Sequence, residues 1–139
     1  MKIGIIGAGK VGCSIGKYLT EHGFSVAGYC SKSKKSVEEA ATFTNTKAYD
    51  SLAELVAEST ILFLTTPDGA LESVWNELKK ESIQNKIVCH FSGSLSSDLF
   101  SNREEYGVSA ASFHPMYAFS NRFTSYEQLT TVKLTIEGD

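Results

Sequence analysis

The chain has 139 residues, of which 42% are hydrophobic and 21% charged, and its formal net charge at pH 7 is −3. This length suits one domain that has its own hydrophobic core. The slight acidity, with no broad basic face and no aromatics among lysines, argues against a nucleic-acid or anionic-membrane partner.

The first predicted element is a strand from Ile3 to Ile6, a short apolar run bounded by glycine. Gly7, Gly9 and Gly12 follow in the spacing G-x-G-x-x-G, directly before a helical pattern, which is typical of a dinucleotide-binding loop. Such a loop needs glycines for the tight turn, for the approach of the pyrophosphate and for close helix packing, and the helix N-terminus attracts the pyrophosphate. The alternative is a plain strand-to-helix connection. The candidate cofactor-binding residues of this loop are Gly7, Ala8, Gly9, Lys10, Val11 and Gly12.

The next segment predicts a helix followed by a second strand. Apolar residues recur at helical spacing from Val11 to Leu19, and Gly23 stands where a C-terminal cap belongs. The apolar residues from Phe24 to Tyr29 then predict the second strand.

Two capping boxes of the form S-x-x-E predict the next two helices. Ser36 with Glu39 places one helix start at about Val37, and Ser51 with Glu54 places another at about Leu52. A brief third strand is predicted between these helices, from Lys47 to Tyr49.

A continuous apolar run from Thr60 to Leu64 is typical of a parallel strand that is covered on both faces. After it, Thr66 is predicted to cap a helix and Pro67 to occupy its first turn. The buried face of that helix is expected to carry Leu71, Val74, Trp75 and Leu78.

Three further strands are predicted in the rest of the chain: Ile87 to His90, Val108 to Phe113 and Val132 to Ile136. A Ser/Gly-rich loop from Ser92 to Ser97 and a short helix around Leu99 lie between the first two of these. Strands that alternate with helices predict an α/β fold, with a doubly wound, mainly parallel sheet and helices on both faces. Ligands bind such sheets beyond the carboxyl ends of the strands.

The loop after the second strand bears on the type of cofactor. A site for NAD normally has Asp or Glu at the end of that strand, where it accepts a hydrogen bond from the ribose 2′-hydroxyl. This chain has hydroxyl and ammonium groups there instead, which suit the 2′-phosphate of NADP, although a solvated lysine-rich turn is the alternative. The candidate residues are Ser31, Lys32, Ser33 and Lys34, with Lys35 beside them, and the loop after Leu64 adds Thr65, Thr66 and Pro67.

Two histidines and two serines fall at the ends of predicted neighbouring strands. A neutral imidazole beside a hydroxyl can relay the proton that moves when hydride converts a carbonyl to an alcohol or an imine to an amine. His114 is the main candidate, because the following proline is expected to end the strand and aim its side chain at the rim. Ser92 and Ser94 are catalytic candidates or simple capping residues, and a structural role is favoured for His90.

Cys13, Cys30 and Cys89 follow no C-x-x-C spacing, so we expect reduced, structural thiols. The histidines also lack metal-ligand spacing, and no metal site is predicted. The first strand begins too close to Met1 to leave room for a secretory signal, and no apolar run approaches the roughly 20 residues that cross a bilayer. These features lead us to expect a soluble, cytoplasmic protein.

Four segments together carry a family resemblance: Gly7–Gly12, Thr65–Asp68, His90–Gly93 and Phe113–Met116. They resemble the Rossmann-like NADP oxidoreductases that have a second, helical domain. The resemblance runs through essentially the whole chain, and its His-x-Ser-Gly and His-Pro motifs are its more specific part. It implies a Rossmann fold over residues 1–139 with NADP as the cofactor.

The His-Pro segment also resembles, more distantly, that of prephenate dehydrogenases. In that family the matching histidine contributes to catalysis and a serine helps position it, which implies such roles for His114 and for Ser92 or Ser94. The lysine that the family places beside the serine is Leu95 here, and the glycine after its His-Pro-x is Tyr117. Prephenate is therefore not the expected substrate.

Relatives of these families continue into helices that dimerise and close the substrate pocket, and this sequence ends at Asp139 without them. We expect a homodimer only in a longer form, with little turnover by the isolated chain. The leading hypothesis is an NADP-dependent oxidoreductase, or its cofactor domain, acting on a small carbonyl or imine substrate. The alternative is a module that senses NADP or a related nucleotide without turnover.

Overall fold

The computed structural model describes all residues, 1–139, and contains seven strands and four α-helices, which alternate as far as the fifth strand. The strands are β1 (Ile3–Ile6), β2 (Val26–Cys30), β3 (Lys47–Ala48), β4 (Ile61–Leu64), β5 (Ile87–His90), β6 (Ser109–Pro115) and β7 (Leu134–Gly138). The α-helices are α1 (Lys10–Glu21), α2 (Lys34–Thr44), α3 (Leu52–Glu58) and α4 (Asp68–Leu78). Short 3-10 helices lie at Ser97–Leu99, Arg103–Tyr106 and Ser125–Thr131.

All seven strands belong to one sheet, in the order β3-β2-β1-β4-β5-β6-β7. The first six strands are parallel to one another, and β7 runs antiparallel to β6. The order of the strands reverses between β1 and β4: β2 and β3 lie on one side of β1, and β4, β5 and β6 lie on the other. The carboxyl ends of the parallel strands all lie along the same edge of the sheet. The predicted doubly wound, mainly parallel α/β fold is therefore confirmed.

Both faces of the central strands are buried. Neighbouring residues of a strand point to opposite faces, and almost every residue of β1 and β4 is buried. In β4, Leu62 and Leu64 belong to one apolar cluster, which includes Trp75 of α4. Phe63 belongs to the other cluster, which includes Cys13 of α1. Helices thus cover both faces, as the continuous apolar run of β4 predicted.

The predicted start of α2 is wrong. The helix begins at Lys34 rather than about Val37, and Ser33 is its N-cap, with a side-chain oxygen that accepts a hydrogen bond from the Ser36 N–H at 3.3 Å. Ser36 therefore lies inside the first turn instead of capping it. The equivalent prediction for α3 is confirmed, since Ser51 accepts from the Glu54 N–H at 3.2 Å.

Three strand boundaries also differ from the predicted ones. The second strand begins at Val26, because Phe24 still donates its N–H to Leu19 and closes the end of α1. The strand that contains His114 extends to Pro115 instead of ending at Phe113, because it pairs with β7 beyond the end of β5. The last strand begins at Leu134, since Val132 still bonds to the preceding 3-10 helix.

Candidate functional site

The glycine-rich loop lies at the carboxyl end of β1, where the strand order reverses. Gly7 has a φ of +110°, a conformation that side chains rarely adopt, and its N–H donates to the Cys30 carbonyl of β2 at 2.9 Å. Gly9 is the N-cap of α1, and a side-chain carbon built on it would meet nothing within 4 Å. Packing within the protein therefore does not require a glycine at position 9, and the bare backbone there faces open space.

Gly12 has the opposite surroundings. A side-chain carbon there would overlap the Gly7 carbonyl and lie 2.7 Å from the Thr65 hydroxyl. That hydroxyl donates to the carbonyl oxygens of Ile6 at 3.1 Å and Gly7 at 3.0 Å. The third glycine thus allows α1 to approach the sheet, and Thr65 holds the turn from the neighbouring strand.

A cavity of about 910 Å³ opens beside this loop. Its walls come from the glycine-rich loop, the loop after β2, the loop after β4 and the first turns of α4. All of the predicted cofactor residues line it except Gly12 and Lys34. Those that line it are Gly7, Ala8, Gly9, Lys10, Val11, Ser31, Lys32, Ser33, Thr65, Thr66 and Pro67.

The wall formed after β2 carries hydroxyl and ammonium groups and no carboxylate. Ser31, Lys32 and Ser33 face the cavity, whereas Lys34 is the first residue of α2 and lies outside the lining. Ser36, in the first turn of α2, also lines the cavity. The acidic lining residues, Asp68 and Glu77, both belong to α4.

The lining residues that sequence reasoning missed include Phe119 and Arg122, which come from the segment between β6 and β7. Arg122 donates hydrogen bonds to the Ala8 carbonyl from Nε at 3.1 Å and from Nη2 at 2.8 Å. The two residues are 114 positions apart, so no local pattern could connect them. The available signal was weak: an arginine in a polar connection between two predicted strands.

Thr66 does not cap α4 as predicted. The N-cap is Pro67, which makes no side-chain capping bond. The buried hydroxyl of Thr66 has no hydrogen-bond partner within the protein. Such a group is costly to leave unpaired, and Thr66 is one of the residues that line the cavity.

The loop after β5 is organised around His90, which is fully buried. Its Nδ1 accepts a hydrogen bond from the Ser92 N–H at 3.1 Å, and its Nε2 lies 2.8 Å from the Ser96 carbonyl. With one nitrogen accepting and the other donating, the ring is a neutral tautomer with both nitrogens satisfied. His90 therefore has the structural role that the sequence favoured.

Ser92 and Ser94 are joined to each other and to α4. Their hydroxyl oxygens are 3.3 Å apart, and the Ser94 N–H donates to the Ser92 oxygen at 3.2 Å. The Ser94 hydroxyl also donates to Oδ2 of Asp68 at 2.9 Å. Asp68 lines the cavity, so its carboxylate connects the two serines to the cavity wall.

His114 lies in β6 beyond the last residue of β5 and is partly exposed. The ring of His114 packs over Gly93, the residue that separates the two serines in the sequence. His114, Ser92 and Ser94 thus come together at the rim, but none of them lines the cavity itself.

All three cysteines are free. Burial raises the pKa of Cys89 to about 12 and also raises the pKa values of Cys13 and Cys30. The thiols therefore stay protonated near neutral pH. Cys13 and Cys89 are packed in the core, whereas Cys30 lines the cavity.

The Rossmann-like domain family matches residues 1–115, and the chain belongs to that family. A search of the curated proteins finds no match. No helix of the structure combines the length and the apolar character that spanning a membrane requires.

Several solved structures share the fold. A candidate NADP oxidoreductase from Bacteroides fragilis superimposes with a TM-score of 0.82 at 21% identity, covering 99% of this chain and 51% of its own. Arogenate dehydrogenase from Synechocystis has a TM-score of 0.73 at 23% identity, covering 87% of this chain and 43% of its own. A reductive aminase from Aspergillus terreus, solved with NADPH and ethyl-5-oxohexanoate, has a TM-score of 0.71 at 15% identity, covering 84% and 41%. The chain thus spans about half the length, or less, of these proteins, and the likeness is one of fold.

Proposed function

We propose that this chain is the NADP-binding domain of an oxidoreductase that transfers hydride to or from a small carbonyl or imine substrate. The observation that carries the proposal is the bare backbone of Gly9 at the N-terminus of α1, facing a cavity of about 910 Å³. A pyrophosphate needs close approach to such a backbone and gains from the N–H groups of the helix. Thr66, whose buried hydroxyl has no hydrogen-bond partner within the protein, also lines this cavity.

The choice of NADP rests on the loop after β2. Its lining residues, Ser31, Lys32 and Ser33, offer donors to a phosphate and no carboxylate to a ribose hydroxyl. The structural neighbours support this choice in part: the Aspergillus reductive aminase was solved with NADPH, and an imine reductase variant from Myxococcus stipitatus was solved with NAD+.

Bound NADP(H) would supply or accept the hydride. The residues of this chain would then bind the cofactor and handle the proton. We assign pyrophosphate binding to the loop from Gly7 to Gly12 and proton relay to His114. In this proposal Ser92 and Ser94 position the relay, and the link from Ser94 to Asp68 connects them to the cavity wall.

In this proposal a small-molecule substrate binds at the site. A full-length form would close the pocket with a further, helical domain and would form a homodimer. A wall of this kind would hold the substrate at about 3 to 3.5 Å from the nicotinamide and exclude water. This part of the proposal follows from the family resemblance and from the shorter span of the chain relative to its structural neighbours.

A second candidate function is a nucleotide-sensing module that binds NADP without turnover. The observation that favours it is the position of His114, Ser92 and Ser94 outside the cavity lining. Fold alone does not separate an enzyme from a sensor.

Calorimetric titration with NADP+ and NADPH tests the binding step, and nicotinamide absorbance with a panel of ketones, aldehydes and imines tests turnover. The isolated chain should bind the cofactor and turn over poorly, whereas a form carrying the further domain should consume NADPH. Tight binding with no turnover by the longer form would favour the sensor. Absence of any binding by the wild-type chain would refute both candidates.

A further inference from the structure

The segment that connects β6 to β7 crosses from the far side of the sheet to the first two helices. Its 3-10 helix, Ser125–Thr131, packs against α1. Phe123 and Tyr126 make edge-to-face contacts with Phe43 of α2, with ring centres 4.9 and 5.7 Å apart. These contacts hold Arg122 at the cavity wall.

The Arg122 guanidinium bridges the glycine-rich loop and the first turn of α2. Nε and Nη2 donate to the Ala8 carbonyl, and Nη2 also donates to the Ser36 carbonyl at 3.2 Å. Nη1 makes none of these hydrogen bonds and pairs with the Glu39 carboxylate at 3.7 Å, a distance longer than a hydrogen bond. The two N–H groups of Nη1 are therefore available to an anion.

The cavity lining supplies further positive charge for such an anion. The basic residues of the cavity lining are Lys10, Lys32 and Arg122, and the acidic lining residues lie on α4. Ser36, which Arg122 contacts, follows the loop where a 2′-phosphate is expected. In Rossmann domains an arginine near the end of the second strand accommodates the 2′-phosphate of NADP.

We propose that Arg122, although distant in sequence, is a specificity-determining residue for the 2′-phosphate. The inference rests on the proposed function, that NADP binds in this cavity. Nη1 donates to the phosphate, Lys32 adds a second positive charge, and the phosphate replaces Glu39 as the partner of Nη1. The segment between β6 and β7 thereby contributes to the discrimination between NADP and NAD.

The test compares the dissociation constants of NADP+ and NAD+ for the full chain and its variants by calorimetry. Arg122→Gln should weaken NADP+ binding about tenfold or more, the loss expected for one charged hydrogen bond. It should weaken NAD+ binding by a smaller factor, because the bridge to Ala8 serves both cofactors. Arg122→Lys should retain part of the preference through its charge. Arg103→Gln is the matched control, because Arg103 pairs with Asp139 away from the cavity and its loss makes the same change in net charge.

Glu39→Gln supplies a second measurement that does not depend on removing the bridge to Ala8. Removal of the competing carboxylate should strengthen NADP+ binding by a few fold without altering NAD+ binding. Two outcomes would overturn the specificity role while leaving the proposed function intact. In the first, Arg122→Gln weakens NADP+ and NAD+ binding equally. In the second, NADP+ binding is unchanged in both Arg122→Gln and Glu39→Gln. A wild-type chain that binds neither cofactor would instead refute the proposed function.

Discussion

His114 packs its imidazole ring directly over the α-carbon of Gly93. A side-chain carbon added at Gly93 would overlap the ring, with Cε1 and Nδ1 as its nearest atoms. The ring position thus depends on the absence of a side chain in the loop after β5. This relationship connects the two motifs, His-x-Ser-Gly and His-Pro, on which the catalytic hypothesis depends.

Gly93→Ala should move the His114 ring without unfolding the domain. The ring is the end of a partly exposed side chain and can rotate away, so the stability cost should stay within the roughly 1 to 3 kcal/mol of local overpacking. Proton NMR of the imidazole should show shifted ring resonances, and thermal unfolding should show a modest loss. Unchanged ring resonances would contradict the packing described here.

His114→Asn should reduce turnover by about a hundredfold or more in a form with a complete substrate pocket, because it removes the proposed general acid or base. Cofactor affinity should change little, since His114 does not line the cavity. His22→Asn is a suitable control, because His22 is exposed at the end of α1. Turnover that is unaffected by the His114 substitution would make this histidine structural.

Gly9→Val should abolish cofactor binding while the domain stays folded. The first carbon of the added side chain meets no protein atom within 4 Å, so the substitution should be tolerated by the fold and should occupy the space that the pyrophosphate requires. Gly69→Ala is the matched control: its added carbon also meets nothing within 4 Å, and Gly69 does not line the cavity. Titration and circular dichroism would check both variants, and normal NADP+ binding by Gly9→Val would place the cofactor elsewhere.

Lys32→Ala and Lys34→Ala should differ in their effect on cofactor choice. Lys32 lines the cavity and Lys34 does not, so only the first should weaken NADP+ binding strongly, by about tenfold. NAD+ affinity should remain the same in both variants. Equal affinities of the wild-type chain for NADP+ and NAD+ would show that neither lysine selects the cofactor.

Glu137→Gln should destabilise the fold at neutral pH, with an effect that diminishes in acid. The pKa of the Glu137 carboxyl is lowered mainly by hydrogen bonds from the Ser97 N–H at 2.7 Å and the Ser97 hydroxyl at 2.8 Å, with a smaller contribution from Ser112. Since the folded-state pKa lies below the unfolded one, this stabilisation is complete above the unfolded pKa of about 4.3 and is lost as the pH falls through the folded pKa.

Urea unfolding of wild type and Glu137→Gln between pH 7 and pH 3 would measure this difference. Comparison of the two proteins removes the contributions of other carboxyls with lowered pKa values, such as Asp139 and Glu58. Glu127→Gln is the control, because its carboxylate makes no salt bridge or hydrogen bond. If the difference in the free energy of unfolding between wild type and Glu137→Gln stays constant with pH, the assigned hydrogen bonds of Glu137 are contradicted.

Local signals were sufficient for the fold and for the glycine-rich loop. The apolar runs of β1 and β4 indicate buried parallel strands because both faces of such strands must be apolar. Gly7, Gly9 and Gly12 indicate the turn because their spacing follows from backbone geometry within a few residues. Element ends were less accurate: Ser33 and Ser36 both fit an N-cap, and the choice between them depends on where the chain leaves β2.

The remaining features of the site depend on contacts between segments far apart in the sequence. Arg122 reaches Ala8 only because the segment after β6 crosses to α1 and α2, and Ser94 reaches Asp68 only because β4 and β5 are neighbours in the sheet. Sequence by itself determined the order of strands and helices and the residues of the glycine-rich loop, since these follow from periodicity and backbone conformation. Tertiary structure decided which side chains join that loop around the cavity, because such pairings arise from the packing of whole elements.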